Sequence, residues 1–230
     1  MCQMSRNIIG RRSVAAAIAL LAASLSSMAK AGTVYESATY TGADTGEYIL
    51  SNNDLIGAAF TLTQKTTITA IGAQFGGFPS GQIFGAIVPV SSSTLLPTFA
   101  SSGIEANSLA HVVFSVPTVT AIDLAESLSV TLNAGTYGVV FGSGAFGANG
   151  NAGLGFLNNP VGSPNLFRSF FSNDWDAFGD TGVRLFVEGN AVGAVPEPST
   201  WAMMMIGFAG LAAVTRYRRR SSTRAGLNAI

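Results

Sequence analysis

The sequence predicts an all-β fold, a single β-sandwich or jelly-roll-like ectodomain, and three observations carry that expectation. Short apolar runs rich in β-formers recur between residues 32 and 194. Turn-forming residues punctuate these runs at short intervals, as in sandwiches and barrels. Fourteen of the 15 phenylalanines lie in the same stretch, enough for a sizeable core.

In chain order, the first run is Lys65-Thr66-Thr67-Ile68-Thr69-Ala70-Ile71, whose Thr and Ile suit a pleated surface. Gln82 to Val88 and Ala110-His111-Val112-Val113-Phe114 are short apolar strands. Leu128-Ser129-Val130-Thr131-Leu132 alternates with period two, and Val183 to Glu188 nearly so. Turns are expected at Gly42, Asn52-Asn53-Asp54, Gly76-Gly77, Pro79-Ser80-Gly81, Asn133-Ala134-Gly135 and Asn158-Asn159-Pro160. No stretch shows a capped amphipathic helix, although Ile122 to Ser127 suits a single turn. The segment Gly142-Ser143-Gly144-Ala145-Phe146-Gly147 fits G-x-G-x-x-G by letter. No helix follows it, so a strand ending in a long loop is expected rather than a dinucleotide site.

Only 10% of the 230 residues are charged and the formal net charge is zero. An ordinary soluble domain carries roughly 25% charged residues. The zero conceals three parts. Residues 1–31 carry +4, residues 32–194 carry three basic against eleven acidic residues for −8, and residues 195–230 carry +4. The acidic middle argues against nucleic acid as a partner. The single cysteine, Cys2, argues against a disulfide scaffold.

Residues 1–31 read as a secretory signal peptide, which implies signal peptidase and the export machinery as partners. Arg6, Arg11 and Arg12 are its basic start, Val14 to Leu25 its apolar run. Ala29 and Ala31 are the small residues before a cut ahead of Gly32. A helix over Val14 to Met28 spans about 22 Å, short of a hydrocarbon core of about 30 Å. The ectodomain is expected over 32–190, with a linker over 191–194.

At the other end stand Pro196-Glu197-Pro198, then an apolar stretch from Trp201 to Thr215, then Arg216, Arg218, Arg219 and Arg220. The prolines hold Glu197 extended and cannot enter a helix interior. The apolar stretch reads as a transmembrane helix, and the arginines keep its end cytoplasmic. Motif, helix and basic cluster in this order, over 195–220, resemble the PEP-CTERM sorting signal. The resemblance implies export, then recognition and processing of the tail by exosortase, a membrane-embedded transpeptidase-like enzyme. It also implies an association with exopolysaccharide and biofilm. Residues 221–230 extend beyond the usual short basic end as a cytoplasmic extension. Asn133 to Phe141 is similar to the Ala-Gly-Thr-Tyr turn and strand of β-sandwich ectodomains carrying such a tail. The expected precursor sits in the inner membrane with both ends cytoplasmic, and the mature domain acts in the periplasm or at the cell surface.

No catalytic residue stands out and no cofactor is expected, a loop calcium ion aside. His111 is the only histidine and reads as structural, since a triad needs an activated nucleophile beside it. The richest polar segment runs from Asn173 to Gly182, where Asp174, Asp176 and Asp180 offer oxygen ligands for calcium. The EF-hand pattern fails there, because Phe178 and Leu185 occupy ligand positions. Trp175, in the same segment, suits stacking on a sugar ring. Two functions follow: a non-catalytic surface or matrix protein with a structural or glycan-associated role, or a secreted carbohydrate-active hydrolase on a jelly-roll scaffold. A pair of carboxylates in a concave face would favour the hydrolase.

Overall fold

The computed structural model describes residues 31–192 except 43–45, 52, 119–120, 171–172 and 181, together with 203, 204 and 206–211; Phe78 is described by its backbone. Fourteen strands are numbered in chain order. One six-stranded sheet contains β1 (Gly32–Glu36), β3 (Glu47–Leu50), β5 (Thr66–Ser80), β8 (Ala121–Leu132), β10 (Asn151–Gly155) and β14 (Leu185–Ala191). The other contains β4 (Leu55–Leu62), β6 (Ile83–Pro89), β7 (Ala110–Phe114), β9 (Gly135–Gly142), β12 (Asn165–Ser169) and β13 (Asp176–Phe178). A small ribbon pairs β2 (Ala38–Thr39) with β11 (Asn159–Pro160). The expected all-β class is what the chain adopts.

The two sheets share one core. Ile68, Ile71 and Phe75 of β5 pack with Ile56 and Phe60 of β4 and with Val139 and Phe141 of β9. Phe75 meets Phe141 edge to face at 5.4 Å between ring centroids, the arrangement that aromatic quadrupoles favour. The second sheet is buried on its other face as well. Phe84, Ala86 and Val88 of β6, Val140 of β9 and Phe167 of β12 form a second cluster with Ile104, Ala145, Ala148 and Trp175. Burial on both faces explains why β4 and β6 read as continuous apolar runs and not as alternation. In β8 residues 125–132 alternate, because Ala125, Ser127, Ser129 and Thr131 face solvent.

Three expectations are corrected. Ile122 to Ser127 is not a helical turn but part of β8, in register with β5 from Ala121 opposite Gly76. Gly76-Gly77 and Pro79-Ser80 are not turns, since β5 runs through them, with Gly76 paired to β8 on one edge and to β10 on the other, and Ser80 paired to β10. Their small size has a different use: a β-carbon on Gly77 would lie 1.7 Å from Glu47 Oε2. A short helix, α1 (Ile104–Asn107), follows a 3-10 turn at Ser101–Gly103 where none was expected. Its four residues are too few to show a helical period.

Two loop expectations match. β9 ends at Gly142 and a loop follows it to Gly150. The Asn133–Gly135 turn joins β8 to β9, and the Tyr137 hydroxyl donates to the Asn133 carbonyl at 3.1 Å, closing that turn. The chain divides into two compact units, one ending at Asn190 and one beginning at Ala191. In the second, Met203, Met204 and residues 206–211 are helical and exposed. Among the described residues no helix is long and apolar enough to cross a membrane.

Candidate functional site

A cleft of about 480 Å³ opens at one end of the second sheet. Four separate segments build it. Asn53 and Leu55 come from the entry to β4, Ser101 to Glu105 from the 3-10 turn and α1, Ser143 to Ala145 from the loop after β9, and Asn173 from the β12–β13 connection. Leu55, Ile104 and Ala145 are buried and form an apolar floor. Asn53, Ser102, Glu105 and Asn173 are exposed at the rim.

Hydrogen bonds hold these segments in place. The Ser101 N–H donates to the Asn173 carbonyl at 2.8 Å, and the Ser169 hydroxyl donates to Ser101 Oγ at 2.8 Å. The Ser143 hydroxyl donates to the Gly150 carbonyl at 2.6 Å, closing the base of the loop. The Phe146 N–H donates to Glu105 Oε1, tying the loop to α1. Phe146 also stacks on His111 at 4.0 Å between ring centroids and meets Phe84 edge to face at 5.0 Å.

Asn53 and Phe146 have φ of 72° and 53°, in the left-handed region that non-glycine residues seldom adopt. Asn tolerates it because its short side chain bonds locally, whereas Phe does not share that advantage. Beside Asn53, Asp54 is buried, and among the described residues its Oδ1 has no hydrogen-bond partner. Burial pushes its carboxyl above the usual carboxylate range, against smaller opposing hydrogen bonds from Ser51.

The residues singled out from sequence fall elsewhere. Trp175 is 9% exposed and belongs to the second core cluster. Its Nε1–H donates to the Phe99 carbonyl at 2.7 Å, and its ring meets Phe167 edge to face. Sugar stacking needs an open ring face, so that role is corrected to a core one. Asp176 sits on the edge strand β13 opposite Arg168. Asp180 accepts the Tyr48 hydroxyl at 2.9 Å and the Gly182 N–H at 2.9 Å. Burial first and this bond second raise the Tyr48 hydroxyl above its usual range. Asp174 is exposed in the loop between β12 and β13. Among the described residues no group of three or more Asp, Glu, His or Cys side chains gathers closely enough to hold a metal ion.

His111 lies exposed on β7 and packs against Phe146, a structural use of its ring. Gly32 opens β1, and Ala31 precedes it. Ala29, the Pro196-Glu197-Pro198 motif and Arg216, Arg218, Arg219 and Arg220 lie outside the described residues.

Sequence reasoning flagged Asn53 only as a turn, the 142–147 segment only as a loop, and Glu105 not at all. Ser102 and Glu105 have the Ser-x-x-Glu spacing of a capping box. Here the helix has no side-chain cap, and Glu105 binds the Phe146 N–H instead. That spacing was the available signal.

Residues 194–220 match the family model of the PEP-CTERM protein-sorting motif. The motif supports an exported protein with a C-terminal tail anchor, processed by exosortase. No curated protein matches the chain at a significant level.

Proposed function

We propose that this exported protein works at the cell surface or in the extracellular matrix, where its β-sandwich plays a non-catalytic, structural or glycan-associated role in exopolysaccharide. The precursor lies in the inner membrane with both ends cytoplasmic. Signal peptidase cuts ahead of Gly32, and exosortase then processes the tail. The tail motif carries the reading, since it is shared by proteins that exosortase sorts.

The ectodomain supports the non-catalytic half. Among the described residues Glu105 is the sole carboxylate lining the cleft, and it already accepts the Phe146 N–H. Glycoside hydrolysis ordinarily uses two carboxylates flanking the bond, about 5–9.5 Å apart. The acidic, weakly charged character of residues 32–194 suits a hydrated matrix.

Mass spectrometry of the protein in the cell-surface and matrix fractions tests the proposal. The expected mature chain begins at Gly32 and lacks peptides from Trp201 to Arg220. Recovery of those peptides from the matrix fraction would overturn the processing step. Confinement of the whole protein to the inner membrane would overturn the surface role.

A further inference from the structure

The cleft bounded by Asn53, Glu105 and Asn173 has the chemistry of a carbohydrate site, and we infer that it binds a short neutral saccharide. The inference rests on the glycan-associated reading above and gives that reading a place in the molecule. Four properties of the cleft select this ligand class.

The first is charge. Among the described residues no Lys, Arg or His lines the cleft, and the one ionisable lining residue is Glu105. Residues 32–194 carry −8 overall. An anionic ligand therefore meets no counter-charge and approaches a repelling surface.

The second is hydrogen-bonding capacity. The rim offers the amides of Asn53 and Asn173, the hydroxyl of Ser102 and the carboxylate of Glu105. An amide both donates and accepts, as a sugar hydroxyl does, and a carboxylate accepts from two hydroxyls at once. Neighbouring hydroxyls on a pyranose match that mixture.

The third is the floor. Leu55 and Ile104 are buried beneath the polar rim and close the cleft from below, so a ligand is held chiefly by the rim. Among the described residues no aromatic side chain lines the cleft. The volume of about 480 Å³ falls in the usual range for small-molecule sites, about 300–1,000 Å³.

The fourth is preorganisation. Backbone and carboxylate bonds join three of the segments before any ligand arrives, and the pairing of Leu55 with Gly142 ties the first segment to the strand that leads into the loop. Of the three non-glycine residues at positive φ among the described residues, two, Asn53 and Phe146, belong to these segments. Backbone outliers of this kind concentrate at ligand sites, where surrounding structure over-determines them.

The test uses the full chain in a non-glycosidic detergent, titrated by calorimetry with maltotriose, cellotriose, chitotriose and trigalacturonate. The expected result is saturable binding of at least one neutral trisaccharide and none of trigalacturonate. The N53A/N173A double variant should bind that sugar at least tenfold more weakly. The variant S102W, which fills the mouth from an exposed position, should abolish binding and covers the case in which the double variant misfolds. Absence of binding by all three neutral sugars overturns the inference. So does equal binding of trigalacturonate, or undiminished binding by folded S102W. Tail processing does not enter these titrations. A surface-located protein that ignores neutral sugars would sink the cleft assignment alone, and a sugar-binding protein held in the inner membrane would sink the surface role alone.

Discussion

The side-chain oxygen of Asn53 lies 1.7 Å from the point that a β-carbon on Gly144 would occupy. Two turns from distant parts of the chain thus interlock at the wall of the cleft. Gly144 also has φ of +90°, a conformation that L side chains rarely adopt.

Gly144→Ala is therefore expected to destabilise the protein by about 1–3 kcal/mol, the usual cost of a forced backbone outlier. Asn53 must also turn away from its present position. Urea denaturation measures the first effect. A crystal structure of the variant should show Asn53 displaced and the cleft changed in shape. Unchanged stability with Asn53 in place would contradict the interlock.

Arg184, just before β14, ties β1 and β8 of the first sheet to β2 of the ribbon. It donates to Asp123 at 2.8 and 3.0 Å and to Glu36 at 2.8 Å, and it also reaches the Ala38 carbonyl. Its side chain is 11% exposed. Arg184→Ala leaves two carboxylates without their cation in a half-buried setting. Breaking a buried ion pair from one side costs about 3–5 kcal/mol. Both acids keep some solvent contact, so the low end, about 3 kcal/mol, is expected. Arg184→Lys cannot reproduce the planar fork and should recover only part of that loss. Equilibrium denaturation of both variants checks the order.

Tyr35 stacks on Phe60 at 5.7 Å between ring centroids, and its hydroxyl is buried without a partner among the described residues. Burial alone raises its pKa, since no bond stabilises the phenolate. Removing an unpaired buried polar atom while keeping the ring should help. Tyr35→Phe is expected to stabilise the protein by about 1 kcal/mol. Thermal denaturation decides, and a clear loss of stability would mean the hydroxyl has a partner.

How legible the molecule is in its sequence depends on how local each feature is. The Leu128 to Leu132 strand was visible because one face meets solvent and the pattern alternates. The β6 run was visible as apolar, but its burial on two faces was not, because the covering layer comes from Ile104, Ala145 and Trp175. Gly76-Gly77 was misread as a turn because glycine signals turns and special strand positions alike, and Gly77 adopts φ of +44° within β5, beside Glu47. Trp175 sits in a polar segment where both sugar stacking and packing at the sheet edge are open readings, while its indole N–H donates to the Phe99 carbonyl and its ring joins the second core cluster. The cleft itself was out of reach. Asn53, Glu105, Ser143 and Asn173 span most of the ectodomain in sequence, and only strand order brings them together.

Asp54 makes the stability of the ectodomain pH-dependent in a direction opposite to most acids. Asp54 is 6% exposed, with Oδ1 unpaired among the described residues and Oδ2 3.5 Å from the Ser51 hydroxyl. Burial raises its pKa above the ordinary 3.8. A raised acid binds its proton more tightly in the native state than in the unfolded one. Its contribution to stability is fully present below the unfolded pKa of about 3.8 and is lost as pH rises through the native value. Asp54→Asn keeps the shape and removes the charge. The variant is expected to be more stable than the parent at neutral pH, by about 1–3 kcal/mol, with the difference shrinking toward pH 4. Melting curves of both proteins across that interval give the answer. A difference that grows as pH falls would show that the carboxylate is paired and its pKa depressed.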